Sequence, residues 1–247
     1  MSPEEHEVMR SVEDHYWWYR ALRQHVTDSI ASKIAEFTLL DAGCGTGGML
    51  RVVRDRFPEA KLMGLDVSAH ALQLASSREL GAEFVQGAVE HLPFATERFD
   101  TVLSIDVMTH SGVDKKAALR EAHRVLRNNG QLIINVAAFD FLKGEHDVAV
   151  DVDRRYTSSQ LAKLLTDANF AIEKMTYWNA LFAPAVAALR WLSRARKTQG
   201  IARSDFRPLP AFLNETLKRI AQLEFRVSDH VRLPFGTSLF AVARKND

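Results

Sequence analysis

The sequence predicts an α/β fold with a doubly wound, seven-stranded, mostly parallel sheet. Three observations point there. A mostly apolar run over 37–40 leads into Asp41-Ala42-Gly43-Cys44-Gly45-Thr46-Gly47-Gly48, and a helical pattern follows over 49–57. From that turn to residue 136, strand and helix patterns alternate, which is how right-handed βαβ units are written in sequence. The chain has 247 residues, 47% of them apolar, enough to bury one large core.

Each element has its own reason. Ser2-Pro3-Glu4-Glu5 starts a helix, with a capping serine, proline in the first turn and a glutamate three residues after the serine. Apolar residues at helical spacing continue from Val8 to Ile30 as two helices. Short runs over 61–65 and 83–86 are the second and third strands, with an amphipathic helix over 68–80 between them, and 99–110 holds the fourth strand and its following loop. A helix over 115–127 ends at Asn128-Asn129-Gly130, and the fifth strand follows over 131–136. A helix over 158–169 precedes a sixth strand at 171–178, and Ser238 to Arg244 forms the last. The long stretch before it holds an apolar helical segment from Leu181, a polar loop over 199–210, and a helix over 210–227 with Leu213, Leu217, Ile220, Leu223 and Val227 on one face. The organisation expected is a helical lid over 1–36, a core over 37–179, a helical insert over 180–235 and the last strand over 236–247.

Composition narrows the partners. The formal charge of +1 gives no argument for nucleic acid. The lone Cys44 allows no internal disulfide and fits a reducing compartment, and its place in the glycine turn suits a small filler. The N-terminus is polar, no apolar run approaches ~18 residues, and a cytoplasmic location is expected. No His/Cys spacing matches a metal template. The segment 181–197, apolar and then basic, leaves three roles open: a lid over a substrate pocket, a homodimer face, or contact with a membrane surface.

The glycine turn carries the chemistry. Glycines at 43, 45 and 47 let a ligand lie against bare backbone, and the amides opening the next helix add partial positive charge. Gly43, Gly45 and Gly48 also satisfy the dinucleotide spacing. Asp41 separates the readings: a carboxylate there repels a pyrophosphate and suits an ammonium group. Asp66, closing the second strand, stands where an acid grips ribose hydroxyls.

The motif Asp41-x-Gly43-x-Gly45-x-Gly47 resembles the first motif of the class I S-adenosylmethionine (SAM) methyltransferases, and the likeness extends along most of the chain. His15-Tyr16-Trp17-Trp18-Tyr19-Arg20 resembles an N-terminal lid of one branch, which implies that Tyr19 and Arg23 help close over the cofactor. Gly87-Ala88-Val89-Glu90-His91-Leu92-Pro93-Phe94 resembles the segment that holds adenine. Ala88 replaces the usual aspartate, so that Val89 and Glu90 take the contact. The stretch Phe99 to His110 resembles the strand and loop beside the sulfonium, which brings in Asp106 and His110. Arg124-Val125-Leu126 with Gly130 resembles the next motif, with Asn128 and Asn129 in the turn. The block Gly144-Glu145-His146-Asp147 to Thr157 resembles the branch's substrate loop, with Val152 in place of its second histidine.

The resemblance implies a Rossmann-like fold and a SAM-dependent transfer of a methyl group to a small molecule, aromatic, natural-product or lipid-like. The cofactor residues it implies are Asp41, Gly43, Cys44, Gly45, Gly47, Asp66, Val67, Val89, Glu90, Asp106, Tyr19 and Arg23. On the substrate side His146 is the leading base, with His110 as an alternative that otherwise props the cofactor loop, and with Arg155 and Tyr156 orienting the acceptor. Two other readings stand beside it: a catalytically silent SAM-binding or scaffold protein, and an NAD-dependent oxidoreductase.

Overall fold

A computed structural model describes residues 2–30, 36–144, 147–148, 151–195 and 209–246. Seven strands form one sheet: β1 Thr38–Ala42, β2 Lys61–Asp66, β3 Glu83–Gln86, β4 Phe99–Ile105, β5 Leu126–Ala137, β6 Phe170–Trp178 and β7 Ser238–Lys245, in the order β3-β2-β1-β4-β5-β7-β6. β1 to β5 pair in parallel, and β7 runs antiparallel between β5 and β6. The helices are α1 Pro3–Val12, α2 Trp17–Ser29, α3 Gly48–Arg56, α4 Ala69–Ser76, α5 Lys115–Val125, α6 Ser158–Asp167, α7 Ala183–Ala195 and α8 Ala211–Ser228. The expected fold class is what forms.

Two apolar cores lie on the two faces of the sheet, and strand periodicity sorts residues between them. Leu40, Val102, Leu132 and Ala241 join one core with Leu119 of α5 and Leu161 of α6. Their strand neighbours Leu39, Leu103, Ile133 and Phe240 join the other, with Val26 of α2, Leu50 of α3 and Phe225 of α8. Continuous apolar runs in these strands therefore reflect burial on both faces. Trp178 is wholly buried and donates from Nε1 to Asn135 Oδ1 at 2.8 Å, which ties β6 to β5 across β7.

Ser2 caps α1 by accepting the Glu5 N–H, as the first four residues predict. Thr157 and Gln160 form a reciprocal cap on α6. Two boundaries differ from expectation. The helix expected over 68–80 ends at Ser76, because Glu79 and Gly81 take positive φ and turn the chain toward β3. The helix expected to reach Arg127 stops at Val125, because Leu126 already pairs with Phe99. Asn128-Asn129-Gly130 is therefore a bulge within β5, between the Phe99–Leu126 and Thr101–Gln131 pairs. Asn129 has φ +59, a conformation asparagine tolerates.

The insert packs on the N-terminal helices. Trp17 N donates to Asn214 Oδ1 at 2.8 Å, and the Trp17 and Phe182 rings lie 5.5 Å apart. Glu224 of α8 accepts from the Ala180 and Leu181 N–H groups and so fixes where the insert leaves β6. Most of the expected 199–210 loop, up to residue 208, lies outside the described residues. Among the described residues no helix is long and apolar enough to cross a membrane.

Trp178→Phe removes ring volume from a full core and strands the Asn135 oxygen. It is expected to destabilise the fold by about 2–4 kcal/mol in urea unfolding. An unchanged midpoint would show that the Trp178–Asn135 contact does not hold the β5–β6 side together.

Candidate functional site

The chain reverses direction across the sheet between β1 and β4, so their carboxyl ends open a crevice suited to a ligand. The glycine turn occupies that crevice. Gly43 N and Cys44 N donate to Leu65 O at 2.7 and 2.9 Å, which fastens the turn to β2. Gly43 has φ +90, and a Cβ there would collide with Val107 Cγ2. The turn can approach β4 this closely because position 43 has no side chain. Gly45 N donates to Asp66 Oδ2 and Ser68 N to Asp66 Oδ1, both at 2.9 Å, so the Asp66 carboxylate is aimed before any ligand arrives. Cys44 is buried, and burial pushes its thiol well up, which fits a filler and not a nucleophile.

Asp41 is 1% exposed, and its Oδ2 has no hydrogen-bond partner among the described residues. Burial pushes its carboxyl up to about 7; Arg23 opposes the shift, while Asp66 and Glu13 add to it. A buried acid with a free oxygen is costly unless something positive or hydrogen-bonding completes it.

Asp106 follows β4 in the left-handed conformation, φ +62. Its N–H donates to Asn135 O, and its Oδ1 accepts from Asn135 Nδ2, each at 2.8 Å. Burial pushes its carboxyl up to about 7, with Asn135 and Arg155 opposing. Because Asn135 is held by Trp178, Asp106 is aimed by a chain of contacts running through β5 to β6. Val67, just past Asp66, is exposed, Val89 is buried, and Glu90 Oε1 accepts the Asp114 N–H at the start of α5. That bond fixes Glu90 to the next helix.

The two N-terminal helices are locked down by a buried charge cluster. Glu13, in the turn between α1 and α2, is 2% exposed and pairs with Arg23 of α2, Arg78 beyond α4 and the Thr46 hydroxyl of the glycine turn. Arg78 Nε also donates to Thr46 O at 2.6 Å. Asp14 takes Arg78 at 3.0 Å and Arg23 and Arg51 at 3.3 Å. Arg23 lies 5.3 Å from the Tyr19 ring centroid, and burial raises the Tyr19 phenol. The structure thus places Arg23 beside Gly48 of the glycine turn, with Tyr19 next to Arg23. It also gives Arg23 fixed acidic partners that the sequence did not reveal.

The substrate-side residues divide. His110 Nδ1 lies 3.2 Å from Asp151 O, and the residue bridges Val152, so the ring is tied to the following loop. Arg155 forms a two-pronged pair with Asp147 and donates to Ala138 O. Tyr156 is wholly buried and its hydroxyl donates to Met108 O at 2.8 Å, which corrects the expectation that it meets an acceptor: it anchors the short turn Val107–Thr109. His146 lies outside the described residues. Glu13, Thr46, Arg78 and Asn135 escaped sequence reasoning. An acidic pair between two helices was the available signal for Glu13; Arg78 has the look of any surface arginine.

Comparison with known proteins gives the family. A family model described as a methyltransferase domain matches residues 40–134. The malonyl-[acyl-carrier protein] O-methyltransferase of Dechloromonas aromatica is 33% identical over 189 residues, covering 70% of each chain. The chain belongs to the class I SAM-dependent methyltransferases. The demethylmenaquinone methyltransferase of Thermotoga maritima is 33% identical over 96 residues, and the match spans 39% of this chain and 42% of that relative's length. Among solved structures, a geranyl diphosphate C-methyltransferase from Streptomyces coelicolor A3(2) in complex with S-adenosyl-L-homocysteine shares the fold, with a TM-score of 0.63 at 14% identity over 92% of this chain and 76% of that one.

This methyltransferase site fits the family's cofactor on its own evidence. An ammonium-bearing tail would give the Asp41 carboxyl a partner, and a ribose diol would suit the pre-aimed Asp66. The pH behaviour of Asp41 tests the first half. In the ligand-free native state it keeps its proton to about pH 7, while the unfolded chain loses it near the ordinary value of 3.8. The native state then binds more protons, so the stability from the protonated acid is complete below about pH 4 and lost as pH rises through 7. Asp41→Asn is expected to flatten that slope in urea unfolding and to weaken S-adenosylhomocysteine binding by ~10-fold or more, with Asp66→Ala weakening it similarly. An unchanged slope together with wild-type affinity would remove Asp41 from the site.

Proposed function

We propose that this methyltransferase moves a methyl group from SAM to a small acceptor with an apolar body, by in-line displacement. The observation that carries the reading is the buried carboxyl of Asp41 beneath the glycine turn, whose Oδ2 lacks a hydrogen-bond partner among the described residues. In this reading Asp41 and the Gly43–Gly47 backbone receive the amino-acid end. Asp66 with Val67, Val89 and the Glu90 segment receives the nucleoside, and Tyr19 and Arg23 close over it. The cofactor supplies a methyl already activated by its sulfonium.

The chain's own contribution is positioning and exclusion of water, worth about 7–11 kcal/mol of barrier in favourable cases. Asp106 is aimed by Asn135 beside the Val107–Thr109 turn, and burial holds it near neutrality, so it is suited to take a proton from an acceptor hydroxyl, N–H or acidic C–H. His110 holds the loop through Asp151, and Arg155 orders the same loop through Asp147. An apolar body for the acceptor is favoured by the aromatic residues at the carboxyl ends of β5 and β6, where exposed Phe141 stands beside Phe139, itself stacked on the buried Tyr177 with centroids 4.8 Å apart. In this reading the insert caps the acceptor, a role favoured over a dimer or membrane face because Phe182 and α8 are packed on α2.

The acceptors in the relatives' names, a malonyl-[acyl-carrier protein] and demethylmenaquinone, open the substrate panel. With methyl-labelled SAM, the protein is expected to release S-adenosylhomocysteine and label one panel member or a small molecule in a cell extract. Asp106→Asn is expected to slow turnover about 10²-fold or more if the acceptor carries a proton. Tight cofactor binding with no labelled product in either setting would favour the silent binding protein.

A further inference from the structure

His6 sits on α1 facing the glycine turn and the start of α4. One turn later on the same helix, Met9 Cε lies 3.2 Å from where a Cβ on Gly45 would stand. Across the gap the His6 and His70 rings are 6.3 Å apart, and His70 Nε2 lies 3.0 Å from Glu7 Oε1. His6 is 5% exposed, and its Nδ1 is buried with no hydrogen-bond partner among the described residues. Burial lowers its pKa, and the nearby Asp66 charge opposes that. A neutral imidazole nitrogen thus stands buried and unsatisfied, near the carboxylate that suits a ribose.

We infer that His6 is a cofactor residue, reaching down from α1 to hydrogen-bond a ribose hydroxyl from the side opposite Asp66. A hydroxyl is the matching group because it both donates and accepts, so it pairs with either tautomer of an uncharged ring. A carboxylate or phosphate would be repelled by Asp66, and an ammonium belongs at Asp41. Placing this contact on α1 makes the first helix part of the nucleoside site. The Glu13 cluster that fastens the α1–α2 turn to Thr46 then sets how closely His6 approaches.

The inference rests on the reading that the glycine turn holds SAM, and calorimetry separates the two. The probes are S-adenosylhomocysteine, 5′-methylthioadenosine and the 2′-deoxy and 3′-deoxy analogues of the latter. His6→Ala is expected to weaken both parent ligands equally, by about 3- to 10-fold, the range of one neutral hydrogen bond. His6→Asn, which keeps a polar atom at the Nδ1 position, is expected to restore most of that loss. One deoxy analogue should bind wild type more weakly than its parent yet lose nothing further in His6→Ala. Equal weakening of every ligand by both variants, or no weakening, overturns the role of His6. Failure of wild type to bind S-adenosylhomocysteine overturns the reading beneath it.

Discussion

A buried carboxyl with an unpartnered oxygen among the described residues sits under the glycine turn, and most of the surrounding architecture serves to hold it there. Asp41 pairs in register with Gly64 on one side and Leu103 on the other, so its backbone is fixed by two parallel ladders. The turn above it is fastened by Leu65 O and by Asp66, and Val107 fills the space that a side chain at Gly43 would claim. Burying an acid in this way costs stability in the empty protein. The cost persists because the sheet leaves the group no other place, and in the proposed function a cationic ligand would recover it. Stability and affinity are two readings of one unsatisfied group.

A second layer of organisation links distant parts of the chain to that turn. Glu13 and Asp14 collect arginines from α2, α3 and the segment after α4, and so lock the N-terminal helices on the ligand side of the sheet. On the other flank, Trp178, Asn135 and Asp106 form a line from β6 to the end of β4. The glycine-turn side therefore rests on the N-terminal helices, and the Asp106 side on the β5–β7–β6 part of the sheet and on Tyr156, which pins the turn after Asp106.

The sheet was legible in sequence because its strands are short apolar runs punctuated by turn residues, and the glycine turn because its backbone demands leave few residue choices. The place of Asp66 at the end of the second strand was legible from spacing. Helix ends were less so: the stop of α5 was set by pairing of Leu126 with Phe99, a long-range contact that local propensity does not carry. The charge cluster was hidden for the same reason, since Glu13, Thr46 and Arg78 meet only after folding. Tyr156 was misjudged because a tyrosine in a polar loop gives no sign of whether its hydroxyl meets a ligand or a carbonyl such as Met108 O.

The central claim, that Asp41 waits protonated and ionises against a cationic tail, is tested most directly by the protons released on binding. Titration of S-adenosylhomocysteine at pH 6 in buffers of different ionisation enthalpy should show net proton release from the wild type, falling to nearly none in Asp41→Asn. Binding without proton release in the wild type, or with the same release in both proteins, would contradict the account.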